Sequence, residues 1–272
     1  MYISTIEATD GIALAYHVFI PKQKFKSSLI FYHGGGANSL AGYTKFADQL
    51  CKQFGVAVYL FDIRGHGNSA GQRGHSPTVT QAWQDISTAI EFVRSQFPKI
   101  KIYLGGHSSG AGLILNYSSY ALHKDIAGYI MIAPEFGPRA KFISQSNHFA
   151  AVRFLPILLH SLSSGLICGA CKAVTFSYAE EEISKYNLLK FYTVNMAKSV
   201  TPIQPKQMLE KIDKETHIFI SNHDKLINAK DLTKFLQPIM SKNSNISLHI
   251  TNKGSHLSIL DKVSRQIGAI LQ

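Results

Sequence analysis

Short, almost uniformly apolar runs alternate along this chain with longer stretches of helical period. Residues 29–32, 56–61, 102–104, 129–132, 217–220 and 246–250 are rich in β-branched and aromatic side chains and read as strands. Between them the spacing predicts helices at about residues 40–54, 79–97, 109–121, 228–241 and 256–271; in the second, Trp83, Ile86, Ile90 and Val93 recur on one face. Strands without polar alternation must be covered on both sides, so the pattern predicts an α/β fold with a mostly parallel central sheet between helices. Residues 2–7 and 12–19 flank the turn pair Asp10-Gly11 and predict an antiparallel hairpin at the start of the sheet.

One interval breaks the alternation. Residues 136–201 contain no clear strand–helix unit, whereas 1–135 and 202–272 do, so the core is expected from those two segments and a mainly helical cap or lid from the insertion. Residues 136–179 carry Arg139, Lys141, Arg153 and Lys172 and no acidic residue. The same stretch holds the run Phe154-Leu155-Pro156-Ile157-Leu158-Leu159 and, further on, Leu166-Ile167-Cys168. These apolar positions either pack inward on the core or meet a lipid surface.

Composition narrows the class. With 45% hydrophobic and 17% charged residues over 272 positions, the chain can bury a large core and is not disordered. The net charge of +11 is spread evenly along the sequence, without a basic arm or a nucleic-acid-binding motif, so no nucleic-acid partner is expected. Cys51, Cys168 and Cys171 cannot build a disulfide framework, and Cys168-Gly-Ala-Cys171 lacks both the further ligands of a zinc site and the context of a redox pair. No run is apolar and long enough to span a bilayer, and the N-terminal residues do not read as a leader peptide. A cytoplasmic protein is expected, with any membrane contact peripheral and through the cap.

The chemistry concentrates in Gly106-His107-Ser108-Ser109-Gly110, between the strand at 102–104 and a helical stretch. In that context G-x-S-x-G forms a sharp strand-to-helix turn that exposes the central serine. A serine needs a base, and in this arrangement acid and histidine follow it in chain order. His256 follows the last predicted strand and Asp224 the one before it, both at the sheet edge where the serine turn sits. Asp213 and Asp231 fall in predicted helices, and Asp261 lies too close in sequence to His256. His33-Gly34-Gly35-Gly36 directly follows residues 29–32 and suits an oxyanion loop, with the Ser109 N–H as a second donor. Nothing assembles a metal site, and no cofactor is expected.

Together with Phe61-Asp62-Ile63-Arg64-Gly65-His66-Gly67-Asn68-Ser69 and Tyr43, these motifs resemble the α/β-hydrolase superfamily. The likeness is to its monoacylglycerol lipase, lysophospholipase and serine aminopeptidase branch. It extends over most of the chain and is weak through residues 136–201. The resemblance implies Ser108 as nucleophile, Asp224 as acid, His256 as base, and Gly35 with Ser109 as oxyanion donors. It implies a serine hydrolase cleaving carboxylic esters through an acyl-enzyme. The apolar run 154–159 in the acid-free, basic stretch 136–179 favours monoacyl lipids, monoacylglycerols or lysophospholipids, as substrates over a small soluble ester. Peptide or thioester cleavage on the same residues, or ligand binding with little turnover, are the rival expectations. Ser109 departs from the methionine that many lipases of this branch carry after the nucleophile.

Overall fold

In the computed structural model, which describes residues 3–140 and 149–272, the predicted hairpin opens the fold as β1 (Ile3–Glu7) and β2 (Ala13–Phe19), with Thr5 opposite Ala15. Tyr2, expected in the hairpin, and Lys141, one of the cap's basic residues, lie outside the described residues. Strand and helix then alternate through β3 (Ser27–Tyr32), α1 (Thr44–Phe54), β4 (Ala57–Phe61), α2 (Gln81–Gln96), β5 (Lys101–His107), α3 (Ser109–Ser118) and β6 (Gly128–Ile132). The insertion contributes a short 3₁₀ turn (Pro138–Ala140), β7 (Ala150–Val152), α4 (Phe154–Leu162), β8 (Lys172–Phe176), α5 (Glu180–Tyr186), β9 (Phe191–Thr193) and α6 (Val194–Val200). After it come α7 (Pro205–Lys211), β10 (Glu215–Ser221), α8 (Ala229–Met240), β11 (Ile246–Thr251) and α9 (Ile259–Leu271).

The main sheet has eight strands in the order β1-β2-β4-β3-β5-β6-β10-β11. Every pairing from β4 to β11 is parallel, and only the hairpin and its junction with β4 are antiparallel. In the centre, Ile30 is in register with Tyr59 on one side and Leu104 on the other, all buried. α1 and α9 pack closely enough that a Cβ on Gly268 would lie 2.2 Å from the Phe54 ring, while α2, α3 and α6 form a second helical group. α1 stops at Gly55, whose φ of 64° lets its N–H turn back onto the carbonyls of Leu50 and Cys51.

The turn after β4 is tied down by side chains. Asp62 accepts the Ser39 N–H at 2.7 Å and the Asn68 N–H at 2.8 Å, and Ser69 Oγ donates to the Asp62 carbonyl at 2.7 Å. Arg64, almost fully buried, meets Asp85 of α2 through Nε at 2.6 Å and Asp10 of the hairpin turn at 2.9 Å. The characteristic motif is therefore a brace between hairpin, sheet edge and α2.

The insertion corrects one expectation. It is helical only in part: β7, β8 and β9 form a three-stranded antiparallel sheet beside the helices. Most of the residues that pair are Val, Thr, Phe and Tyr, joined by Ala150, Ala151 and Lys172, and their strand tendency is masked by the absence of a regular period. α6 is almost entirely buried and accepts the Trp83 indole N–H at the Ser199 carbonyl, 2.9 Å away. α4 turns outward instead: Phe154 is 73% exposed, Leu155 65% and Leu162 74%, and only His160 of this helix is buried. Leu166 and Ile167 extend the exposed apolar surface.

Candidate active site

The turn from β5 into α3 is too tight for side chains. A Cβ on Gly106 would lie 2.3 Å from the Gly110 carbonyl carbon, and one on Gly110 would lie 2.4 Å from the Tyr32 oxygen. Ser108 between them sits at φ 53°, ψ −119°, a strained conformation for a residue with a Cβ. The strain is held by bonds on both sides, since the Ser108 N–H donates to Ile132 at 3.0 Å and its carbonyl accepts the Glu135 N–H at 3.1 Å.

Three further loops converge on the same carboxyl edge of the sheet. Asp224 follows β10 with its carboxylate out of solvent; Oδ1 accepts the N–H groups of Leu226 and Ile227 at 2.8 and 3.0 Å. His256 follows β11, and its Nδ1–H donates to Asp224 Oδ2 at 2.8 Å. Burial alone would raise the Asp224 pKa, but the hydrogen bond and charge of His256 and the two backbone donors hold it below the ordinary value. The carboxylate thus stays ionised and fixes the histidine tautomer that leaves Nε2 unprotonated.

His107, buried beside Ser108, completes the packing. Its ring centroid lies 4.7 Å from that of His256, and its Nε2–H donates to the His256 carbonyl at 2.8 Å. Nδ1 accepts from Tyr43 Oη at 2.9 Å, and Tyr43 Oη accepts the Gly34 N–H at 2.8 Å. Burial, reinforced by the neighbouring His256, pushes the His107 pKa down to about 3, so the ring is neutral. Burial also lowers the His33 pKa, and its ring donates from Nδ1 to the Gly34 carbonyl at 2.9 Å while Nε2 accepts the Ile63 N–H at 3.1 Å.

The Gly-rich loop after β3 runs against this cluster, and a Cβ on Gly35 would lie 2.8 Å from Ser109 Oγ. The Gly35 N–H has no partner among the described residues, and the Ser109 N–H opens α3, where no carbonyl precedes it in the helix. Two backbone N–H groups without a protein partner among the described residues thus belong to the glycine loop and the helix start next to Ser108.

Of the competing acids, Asp261 pairs with Lys45 at 2.6 Å and Asp231, half-exposed in the first turn of α8, lies against Lys234. Asp213 lies beyond the end of α7 rather than within a helix. Among the described residues no group of three potential ligands could hold a metal ion, and Cys168 and Cys171 are free thiols. Sequence reasoning missed Glu135, whose carboxyl is drawn above its usual range by burial beside the serine turn and whose Oε1 accepts the Gly137 N–H at 2.6 Å. It also missed Tyr178 and Tyr192, which lie in the insertion where no motif marks them.

Comparison with known proteins agrees with this architecture. A profile of the family described as serine aminopeptidase, S33, matches residues 23–262. The chain belongs to that family of α/β-hydrolases, in a branch similar to the monoglyceride lipases. It is 27% identical to the monoglyceride lipase of Rattus norvegicus over 65% of this chain and 56% of that protein. Against the monoacylglycerol lipase of Mycolicibacterium smegmatis it is 28% identical over 40% of this chain and 38% of that one. The matched stretches thus span less than two thirds of these relatives' lengths. Among solved structures, a soluble variant of the monoglyceride lipase of Saccharomyces cerevisiae with a substrate analogue superposes with a TM-score of 0.71 at 18% identity, covering 99% of this chain and 94% of that one. Est1E of Butyrivibrio proteoclasticus with ferulic acid gives 0.70 at 17%, covering 98% and 97%. At these identities the likeness is one of fold.

Proposed function

We propose that the protein is a serine hydrolase that cleaves carboxylic esters through an acyl-enzyme, with Ser108 as nucleophile. The observation that carries this is the Asp224–His256 hydrogen bond at the same sheet edge as the strained Ser108 turn. His256 Nε2 takes the Ser108 hydroxyl proton as Oγ attacks the ester carbonyl carbon. The carbonyl oxygen becomes an oxyanion held by the N–H groups of Gly35 and Ser109, each such donor worth on the order of 10²-fold or more in rate. His256 returns the proton to the departing alcohol as the C–O bond breaks, leaving the acyl group on Ser108. Water, deprotonated by His256, then attacks the acyl carbon, and His256 returns that proton to Ser108 Oγ as the acyl C–Oγ bond breaks and the acid leaves. Asp224 stays ionised throughout and stabilises the imidazolium. No metal or cofactor takes part in these steps.

The substrate proposed is a monoacyl lipid, a monoacylglycerol or lysophospholipid, met at a lipid–water interface. Support comes from α4, which turns Phe154, Leu155, Leu158 and Leu162 to solvent in a stretch that has Arg153 and Lys172 and lacks acidic residues. Exposed apolar clusters of this kind mark contact surfaces. The names of the relatives point the same way. Each methylene buried on binding adds about 0.8 kcal/mol, so chain length should matter. Among the described residues no helix is long and apolar enough to cross a membrane.

The test has two parts. A fluorophosphonate should label Ser108 stoichiometrically, and p-nitrophenyl esters should be cleaved faster from acetyl to octanoyl, with monoacylglycerols as good substrates. An unlabelled serine would remove the hydrolase proposal. Flat chain-length dependence would remove the lipid and leave a short-chain esterase.

A further inference from the structure

The peptide unit joining Gly35 to Gly36 is gripped at both ends by tyrosines of the insertion. Tyr178 Oη donates to the Gly35 carbonyl at 2.6 Å, and the Gly36 N–H donates to Tyr192 Oη at 2.8 Å. The next carbonyl, that of Gly36, accepts the Leu189 N–H at 2.7 Å. Phe176 closes the space above, since a Cβ on Gly35 would lie 3.2 Å from its ring and one on Gly36 2.9 Å. Four residues of the insertion, on either side of α5, therefore hold one turn of backbone.

The polarity of this clasp is set. Tyr192 Oη, having accepted from Gly36, donates to His66 Nε2 at 2.8 Å, and His66 Nδ1–H donates to the Arg64 carbonyl at 2.9 Å. Burial raises the phenol pKa of both tyrosines, and burial with the nearby His33 lowers that of His66. Tyr192 and His66 thus each accept one hydrogen bond and donate one, while Tyr178 donates. The brace at Arg64 and His66 thus extends through Tyr192 to the Gly-rich loop.

A peptide between two glycines has no side chain on either residue to restrict its rotation, and Gly36 already sits at φ 69°. Left to itself this unit could turn over about the Gly35 Cα, and the adjoining Gly34–Gly35 peptide, which carries the N–H without a protein partner, would lose its fixed anchor at that Cα. We infer that Tyr178 and Tyr192 are positioning residues of the oxyanion hole, so that the insertion sets the geometry of the chemistry as well as covering it. The inference rests on the proposed acyl transfer at Ser108. Neither hydroxyl touches the reacting atoms; each acts through the Gly35–Gly36 peptide.

Tyr178→Phe removes only the hydroxyl and keeps the ring. With p-nitrophenyl acetate and octanoate it should lower kcat about tenfold for both esters, leave KM within about twofold, and slow fluorophosphonate labelling of Ser108 by a similar factor, because the phosphoryl oxygen needs the same N–H groups. Tyr192→Phe should act in the same direction, and Tyr178→Ala should be no better than Tyr178→Phe. A wild-type kcat in folded Tyr178→Phe, or a rise in KM confined to octanoate, would overturn the inference and assign the tyrosine to packing. Wild-type protein that is neither labelled nor active would overturn the proposed function and this inference with it. Active, labelled wild type beside an unimpaired variant would overturn this inference alone.

Discussion

His107 and His256 are joined by a hydrogen bond from the ring Nε2–H of the first to the backbone carbonyl of the second, 2.8 Å long. The residue before the proposed nucleophile thus holds the loop that carries the proposed base. Tyr43 fixes the other ring nitrogen, and through it the Gly34 N–H. The Ser108 turn, the His256 loop and the glycine-rich loop are consequently one connected unit. Misplacing a reacting group by about an ångström can cost on the order of 10²-fold. His107→Ala is therefore expected to lower kcat for p-nitrophenyl butyrate by about that factor with KM little changed, as steady-state kinetics will show. An unaltered kcat would mean that the His256 loop holds its position without this bond.

Ser108→Ala and His256→Ala should each remove nearly all ester hydrolysis while leaving the circular dichroism spectrum unchanged. Groups that act as a unit lose about the same activity singly as together, on the order of 10³-fold or more. Asp224→Asn should cost less than Ser108→Ala, because the amide can keep the contacts of Oδ1 but cannot hold the imidazolium. A Ser108→Ala preparation retaining a tenth of wild-type activity would exclude Ser108 as nucleophile.

Acid should destabilise the fold well before its carboxylates titrate. His107 takes up its proton near 6.5 when unfolded but only at about 3 when folded. Above pH 6.5 both states are neutral at this residue and stability does not depend on it. As pH falls from 6.5 towards 3 the unfolded state alone gains the proton, at a loss of about 1.4 kcal/mol per pH unit. His33 and His66, also buried with lowered pKa, act in the same direction. Urea denaturation at pH 7.5 and 5 should show the difference, and equal midpoints would contradict it.

Replacing Leu155, Leu158 and Leu162 together by Ser should weaken sedimentation with phosphatidylglycerol vesicles by a factor of ten or more, at about 1 kcal/mol or more per leucine withdrawn from lipid. Hydrolysis of p-nitrophenyl acetate should be unaffected. Vesicle binding by wild type should also fall as salt is raised, given the basic residues nearby. Equal binding by wild type and the triple variant would place the lipid contact elsewhere.

Arg64→Met should destabilise by roughly 3–5 kcal/mol, since it leaves the buried Asp85 carboxylate without its partner. Thermal unfolding would register this as a drop of several degrees or more, and an unchanged midpoint would show that water replaces the guanidinium.

Much of this site is legible without a structure. Strand and helix follow from the local period of apolar positions. The serine turn follows from glycines where a Cβ would strike backbone at 2.3 and 2.4 Å, a constraint written into five consecutive residues. Asp224 and His256 could be picked out because parallel strands bring the loops after β10 and β11 to the same edge as the loop after β5.

The insertion was legible only as an interruption. Its strands are short, and β9 is three residues long, so no period could reveal them. Whether α4 faced the core or solvent depended on which surfaces β8 and α6 already covered, which local sequence does not encode. The link from the insertion to the glycine-rich loop lay furthest out of reach: Tyr178 bonds a residue 143 positions away and Tyr192 one 156 away. A tyrosine hydroxyl carries no preference for one distant carbonyl or N–H over another. The sequence determined the elements of the main sheet, the serine turn and the order of the candidate triad, because each is set by neighbours along the chain or by the rule of parallel connection. Only the tertiary structure decided what steadies the glycine loop, because glycine has no side chain to steady itself and the groups that do so arrive by folding.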